Sequence, residues 1–372
     1  MSSPRPRTLL ATVLKNYRSK YNLTQEQLAN DLIIDVRTLR RWESGETIIS
    51  DVRELKRIAD RLGIEAERLG VVATIYTPLI PEKIDEILDG IWHLVQEART
   101  LEARIVIERL VQDLTVQAKK ERDPLLYKLA QAHHLAGYIH SMGTRASETA
   151  LPLAHYGEME TIARSIQDDT LLNIALTYEG DMHTRSGNLT KSIEYLEAAR
   201  DTTPHADAAS LGNGIQLLGR AYLRANRITD FEYAMAEAEK IAATITPEHS
   251  TTRGQYSLGT VYEEYGRSYA QLGQTEKAMT YLDLAEASLE PTKHWEILMK
   301  TARAMALVQG GEIESGIKLA VEATALCKKY GTIRLLERIY SVQRYLDKLS
   351  KKLGQAGTEL QEALDGPVEQ AF

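Results

Sequence analysis

From Gly180 onward, small residues and chain breakers return in one order, and that order limits the fold more than anything else in the 372-residue chain. Gly180, Gly219, Gly266 and Ala304 begin each cycle, and seven positions later stand Gly187, Asn226, Gly273 and Gly311. Leu196, Met235, Leu282 and Ala320 lie sixteen positions after the anchors, and Ala199, Ala238, Ala285 and Ala323 lie nineteen after them. Small residues at these places let two antiparallel helices approach closely, with a turn residue between them. One such pair cannot bury its apolar face, so pairs must stack.

The anchors are 39, 47 and 38 residues apart, and Gly137 anchors an earlier, more divergent unit. Residues 82–120 read as another helix pair, and 332–353 as a capping helix. The tail 354–372 holds four acidic and no basic residues and is expected to be flexible. Residues 71–81, apolar but carrying Pro78 and Pro81, read as a linker. Cys327 is the only cysteine, which excludes an internal disulfide and a thiolate-built metal site. No stretch reaches the ~18 apolar residues that a membrane helix needs, so a cytoplasmic protein without a membrane partner is expected.

Charge divides the chain unevenly. The net value is -7, yet residues 1–70 hold 13 basic and 10 acidic side chains. An anion-binding head is therefore expected at the front. Leu10, Leu14 and Tyr17 give a first helix its apolar face. Thr24 and Gln27 form a capping-box pattern ahead of Leu28 and Leu32. After Ile33 and Ile34, Asp35 can cap a short helix that turns Leu39 and Trp42 inward and stops at Gly45. A helix, a tight turn and a capped second helix are what lets the second helix enter a major groove.

"LTQEQLA" followed by "VRTLRRWESG" resembles the XRE-type helix-turn-helix, and "VRELKRIADRLGIEAERL" resembles the two closing helices of that five-helix domain. The resemblance implies that Val36, Arg37, Thr38, Arg40 and Arg41 meet base edges of a double-stranded DNA operator. It places Gln25 on phosphate and pairs Arg18 with Glu43 inside the domain. The loop "ETIIS", Glu46 to Ser50, departs from the basic, proline-bearing loop common in that family, which weakens the expectation of phosphate contacts there. Independently of any family, arginine bonds guanine O6 and N7 with two parallel donors. The competing reading of these arginines is a solvated helix face.

The repeat pattern is similar to the tetratricopeptide repeat, of ~34 residues. The chain is thus expected to be all-α: a five-helix head over 1–70 and a right-handed superhelix over 82–353. Projection around the anchors lines the concave face with Thr177, Asp181 and Arg185, then Asn213, Gln216, Arg220 and Arg224, then Glu263 and Arg267. Gln131, His134 and Tyr138 come from the divergent unit. Such side chains can hold a peptide backbone and its carboxylates. The two parts in this order resemble the RRNPP peptide-responsive quorum-sensing regulators. That resemblance implies a homodimer whose repeats bind a short signalling peptide and so modulate DNA binding. The alternative is a scaffold, or a constitutive DNA-binding protein, whose repeats recruit a protein partner. His133, His134, His140 and His183 show no ligand spacing and no phosphate loop appears, so neither enzymatic activity nor a cofactor is expected.

Overall fold

A computed structural model describes residues 9–47, 49, 51–64, 66–71, 79–118, 124–245 and 256–365. The chain divides into two compact units, Met1–Pro78 and Leu79–Phe372. Among the described residues the regular structure is helical throughout.

The first unit contains α1 (Leu9–Lys20), α2 (Gln25–Leu32), α3 (Val36–Ser44) and α4 (Val52–Leu62). The fifth helix expected from the sequence is instead a single 3-10 turn, Ala66–Leu69. Its Leu69 still reaches the core. Thr24 Oγ1 accepts from Gln27 N at 3.2 Å while Gln27 Oε1 accepts from Thr24 N at 2.8 Å, so the capping box forms reciprocally. Leu14, Leu28, Leu32, Leu39 and Ile58 are fully enclosed, with Trp42 beside them. Arg57 on α4 donates to Leu32 O at 3.0 Å and satisfies a carbonyl at the end of α2. Between α2 and α3, Ile33 sits in the left-handed region at φ 54° with its side chain exposed. A β-branched residue is strained there.

The second unit is a run of helix pairs. α5 (Pro81–Gln96) pairs with α6 (Thr100–Ala118), and α7 (Pro124–Gly143) with α8 (Ala150–Ile166). α9 (Asp169–Ser186) pairs with α10 (Leu189–Thr202), and α11 (Ala208–Arg224) with α12 (Ile228–Ala242). α13 (Leu258–Gln271) pairs with α14 (Thr275–Ser288), and α15 (Lys293–Gln309) with α16 (Ile313–Tyr330). The turn residues read from the sequence all have positive φ: Gly187 84°, Asn226 59°, Gly273 73° and Gly311 92°. The anchors pack where the repeat places them. A Cβ on Gly180 would stand 2.6 Å from Leu196, and one on Gly266 2.7 Å from Leu282. In both cases the partner is the residue sixteen positions on.

Two expectations about the ends are corrected. Pro81, read as linker, opens α5 at its first position, where the missing N–H costs no hydrogen bond; residues 72–78 of the linker lie outside the described residues. The segment from Gly354, read as a flexible tail, continues α17 (Ile333–Asp365) as far as Asp365. Ala, Leu, Gln and Glu there favour helix even without packing; residues 366–372 lie outside the described part.

The array bends back on itself. Thr292, which caps α15, donates through Oγ1 to Gln96 Oε1 at the end of α5, at 3.1 Å. The first turns of α17 cross to α7, and Glu337 accepts from Ala146 N at 2.9 Å. α17 therefore borders the concave face formed by α7, α9, α11, α13 and α15.

Candidate functional site

On α3 one side is committed to the fold and the other is not. Asp35 caps the helix, accepting from Thr38 N at 2.8 Å and from Thr38 Oγ1 at 2.6 Å. These bonds hold the Asp35 carboxyl below its usual range. The hydroxyl proton of Thr38, expected at a base edge, is thus engaged in the cap. Val36 is half-buried against the core. Gly45 ends the helix at φ 74°.

Glu43 is buried and accepts from Arg18 Nε at 2.9 Å, the pair the resemblance implied, and from Gln25 Nε2 at 2.7 Å. Gln25 in turn accepts from Arg40 Nε at 3.0 Å, and Glu26 stands 3.7 Å from Arg40. Gln25, expected on phosphate, thus links the interior to the outer face. Arg37 and Arg41 are exposed, and their guanidinium groups make no hydrogen bond or ion pair among the described residues. With Arg40, Ser44 and Glu46 they border one surface depression.

In the repeat unit, most of the projected residues converge on two adjoining cavities. A smaller one of about 100 Å³ is lined by Tyr138, Asp181, Asn213, Gln216, Arg220 and Glu263. A larger one of about 610 Å³ is lined by Asp181, Arg185, Arg220, Arg224 and Arg267. Gln131, His134 and Thr177 line neither. The His134 ring lies 4.8 Å from that of Tyr178, and Thr177 is buried against Gly214.

The charged residues among them are not free. Arg220 Nη1 donates to Asp181 at 2.9 Å, and its remaining donors go to Glu264. Arg267 pairs with Glu264 and lies 3.3 Å from Glu263. Burial alone would raise the Glu264 carboxyl, yet Arg220 and Arg267 hold it down at about 2. Burial would likewise raise Asp181, and Arg220 and Arg334 keep it below its ordinary value. Arg220 and Arg267 are therefore fixed parts of a buried ionic layer, where the sequence reading had them as open donors.

α17 supplies what the sequence reading missed. Arg334 reaches Asp181 at 3.5 Å and Arg338 reaches Glu263 at 3.2 Å. Arg344, Tyr345 and Lys348 continue that face along the larger cavity. A signal was present in the sequence. Arg334, Arg338 and Tyr345 recur at helical spacing beside the stripe of Leu335, Val342 and Leu346, so this helix has two adjoining occupied stripes. Trp92, His294 and Trp295 complete the smaller cavity. Within it Gln216 Oε1 and His294 Nδ1 are buried without a hydrogen-bond partner among the described residues. Burial, then Arg338 and Arg334, push His294 down to about 3, so its imidazole is neutral.

The helix-turn-helix family model matches residues 14–69, which hold α2, the turn and α3. The N-terminal unit is a helix-turn-helix domain. No curated protein matches the sequence. Among solved structures the chain is similar to PlcR of Bacillus thuringiensis in complex with the peptide PapR7 and DNA. That match has 17% identity, covers 76% of this chain and 96% of the other, and has a TM-score of 0.37. It is similar to ComR of S. thermophilus in complex with DNA and its signalling peptide ComS, at 16% identity, 81% and 99% coverage and a TM-score of 0.38. The apo competence regulator ComR of Streptococcus vestibularis matches at 15% identity, 83% and 98% coverage and a TM-score of 0.34. No described helix is long and apolar enough to cross a membrane.

Proposed function

We propose that this chain is a cytoplasmic transcriptional regulator: its head, residues 1–70, reads a double-stranded operator, and its repeat unit, 82–353, binds a short peptide that modulates that reading. The outer face of α3 carries the proposal. Leu39 and Trp42 anchor the helix and Glu43 ties it to α1, which leaves Arg37 and Arg41 as exposed cations whose guanidinium groups have no ion pair among the described residues. Arg40 joins them once Gln25 releases it. The peptide half is supported by the concave cavities, where buried Gln216 Oε1 and His294 Nδ1 have no hydrogen-bond partner among the described residues. A homodimer suits the head, since two copies of α3 would address half-sites ~34–36 Å apart.

Selection from a random duplex library tests the DNA half. A palindromic motif is expected, with affinity falling steeply as salt rises. Arg37→Ala should cost about 1–3 kcal/mol and relax one position in each half-site. Binding that ignores sequence and is unchanged by this substitution would sink the reading.

A further inference from the structure

The larger cavity carries more positive charge than its own carboxylates neutralise. Its inner layer is nearly balanced, with four cations, Arg220, Arg267, Arg334 and Arg338, facing three anions, Asp181, Glu263 and Glu264. The outer layer is not. Arg185 donates only to Thr144 O at 3.4 Å and to Met182 Sδ at 3.7 Å. Arg224 donates to Thr184 O at 2.8 Å, and Arg344 to Ser341 Oγ at 2.6 Å. Among the described residues all three have only neutral hydrogen-bond acceptors. Glu337, the other acid lining this cavity beside Asp181, accepts from the backbone of Ala146.

Burial, followed by Arg334, lowers Arg185 to about 10, and burial, followed by Arg267, lowers Arg338 to about 9. Arg338 keeps Glu263 beside it, whereas Arg185 has no carboxylate within hydrogen-bond reach among the described residues. Arginine forks match carboxylates with two parallel bonds. The adjoining cavity adds a different demand: Gln216 Oε1, an acceptor, is buried with no donor. A backbone amide N–H would supply one.

We propose that the peptide bound here is acidic, with two or more carboxylates received by Arg185, Arg224 and Arg344 while its backbone engages Gln216. This rests on the reading of the repeat unit as a peptide receptor. α17 is then half of the binding site, since it brings Arg344 to the ligand and holds the inner layer through Arg334 and Arg338.

The test uses the full chain and three pools of fluorescein-labelled hexapeptides, matched in apolar content, read by anisotropy. One is rich in Asp and Glu with a free carboxyl terminus, one replaces these by Asn and Gln and is amidated, and one is rich in Lys. The acidic pool should bind at least about tenfold tighter than the amidated one, and Arg344→Gln should weaken it about tenfold. Arg344 is exposed, so this variant should keep its thermal melt; Arg344→Lys should restore part of the affinity. If neutral or basic pools bind as well as the acidic one, the charge proposal falls while the peptide receptor stands. If no pool binds but pyrophosphate or a nucleoside triphosphate does, with the same dependence on Arg344, the anion site stands and both the acidic peptide and the peptide receptor fall. If nothing anionic binds, the proposal is overturned.

Discussion

Both units place arginines at their candidate binding surfaces, but they hold them in opposite ways. On α3, the exposed guanidinium groups of Arg37 and Arg41 have no partner among the described residues, and only the backbone beneath them is fixed. In the repeat unit, Arg220 and Arg267 are withdrawn from water and locked against Asp181, Glu263 and Glu264. Solvated arginines cost little to keep and can adjust to a polyanion as large as DNA. Buried ones need counter-charges, and once these are in place the cavity wall is rigid and its surplus charge selective. The same residue type therefore gives adaptability in one unit and preorganisation in the other.

The sharpest way to break this contrast is to remove a counter-charge from each unit. Glu264→Gln leaves Arg220 and Arg267 under-neutralised in a fully buried place, and should cost the repeat unit about 3–5 kcal/mol in urea denaturation. Glu26→Gln removes the exposed partner of Arg40 and should leave the melt of the head unchanged. Equal effects would mean the two sets of arginines are not held differently.

Acid should separate the units next. The head contains no histidine, whereas burial, then His155, pushes His133 and His140 down to about 4, and His294 lies near 3. Below the ordinary histidine range the unfolded chain takes up protons that the folded unit refuses, so stability present above about pH 6.5 is lost as pH falls toward 4. Glu179 acts in the opposite sense, since burial and Glu160 raise it to about 7 and its neutralisation relieves the fold on acidification. Three histidines against one carboxyl leave a net loss of about 2 kcal/mol or more for the repeat unit. Denaturation at pH 6.5 and pH 4.5 should show it, and Glu179→Gln should steepen it. A flat profile would show these imidazoles to be solvated.

Two glycines in the repeat unit compare packed with unpacked surface. Gly266→Ala drives a Cβ into Leu282 and should cost about 1–3 kcal/mol. Gly90→Ala, on an open face of α5, should stabilise by about 0.5–1 kcal/mol. In the head the corresponding lever is backbone strain. Ile33→Gly at φ 54° should stabilise by about 1 kcal/mol, read as a higher melting temperature, because glycine carries no Cβ to clash in the left-handed region.

Local signals were legible wherever one helix or one turn decides the outcome. Asp35 and Gly45 bounded α3, Thr24 and Gln27 capped α2, and the positive-φ turns at Gly187, Asn226, Gly273 and Gly311 followed from residues that tolerate that geometry. The concave face was legible in part, because one face of a first helix can be projected from its anchor. Three residues failed that projection. Thr177 is covered by Gly214, while Gln131 and His134 belong to the divergent unit, whose register is set by the close approach of Gly137 to Tyr156.

By itself, then, the sequence determined the helix pairs, their turns, the helix-turn-helix and the division of α3 into an inner and an outer face, since each depends on spacing within a few turns of chain. Only the tertiary structure decided which arginines are neutralised. Arg220 meets Glu264 across 44 residues, and Arg334 meets Asp181 across 153. A guanidinium's charge is written in the chain, but its counter-charge is chosen by how the array bends back to meet α17.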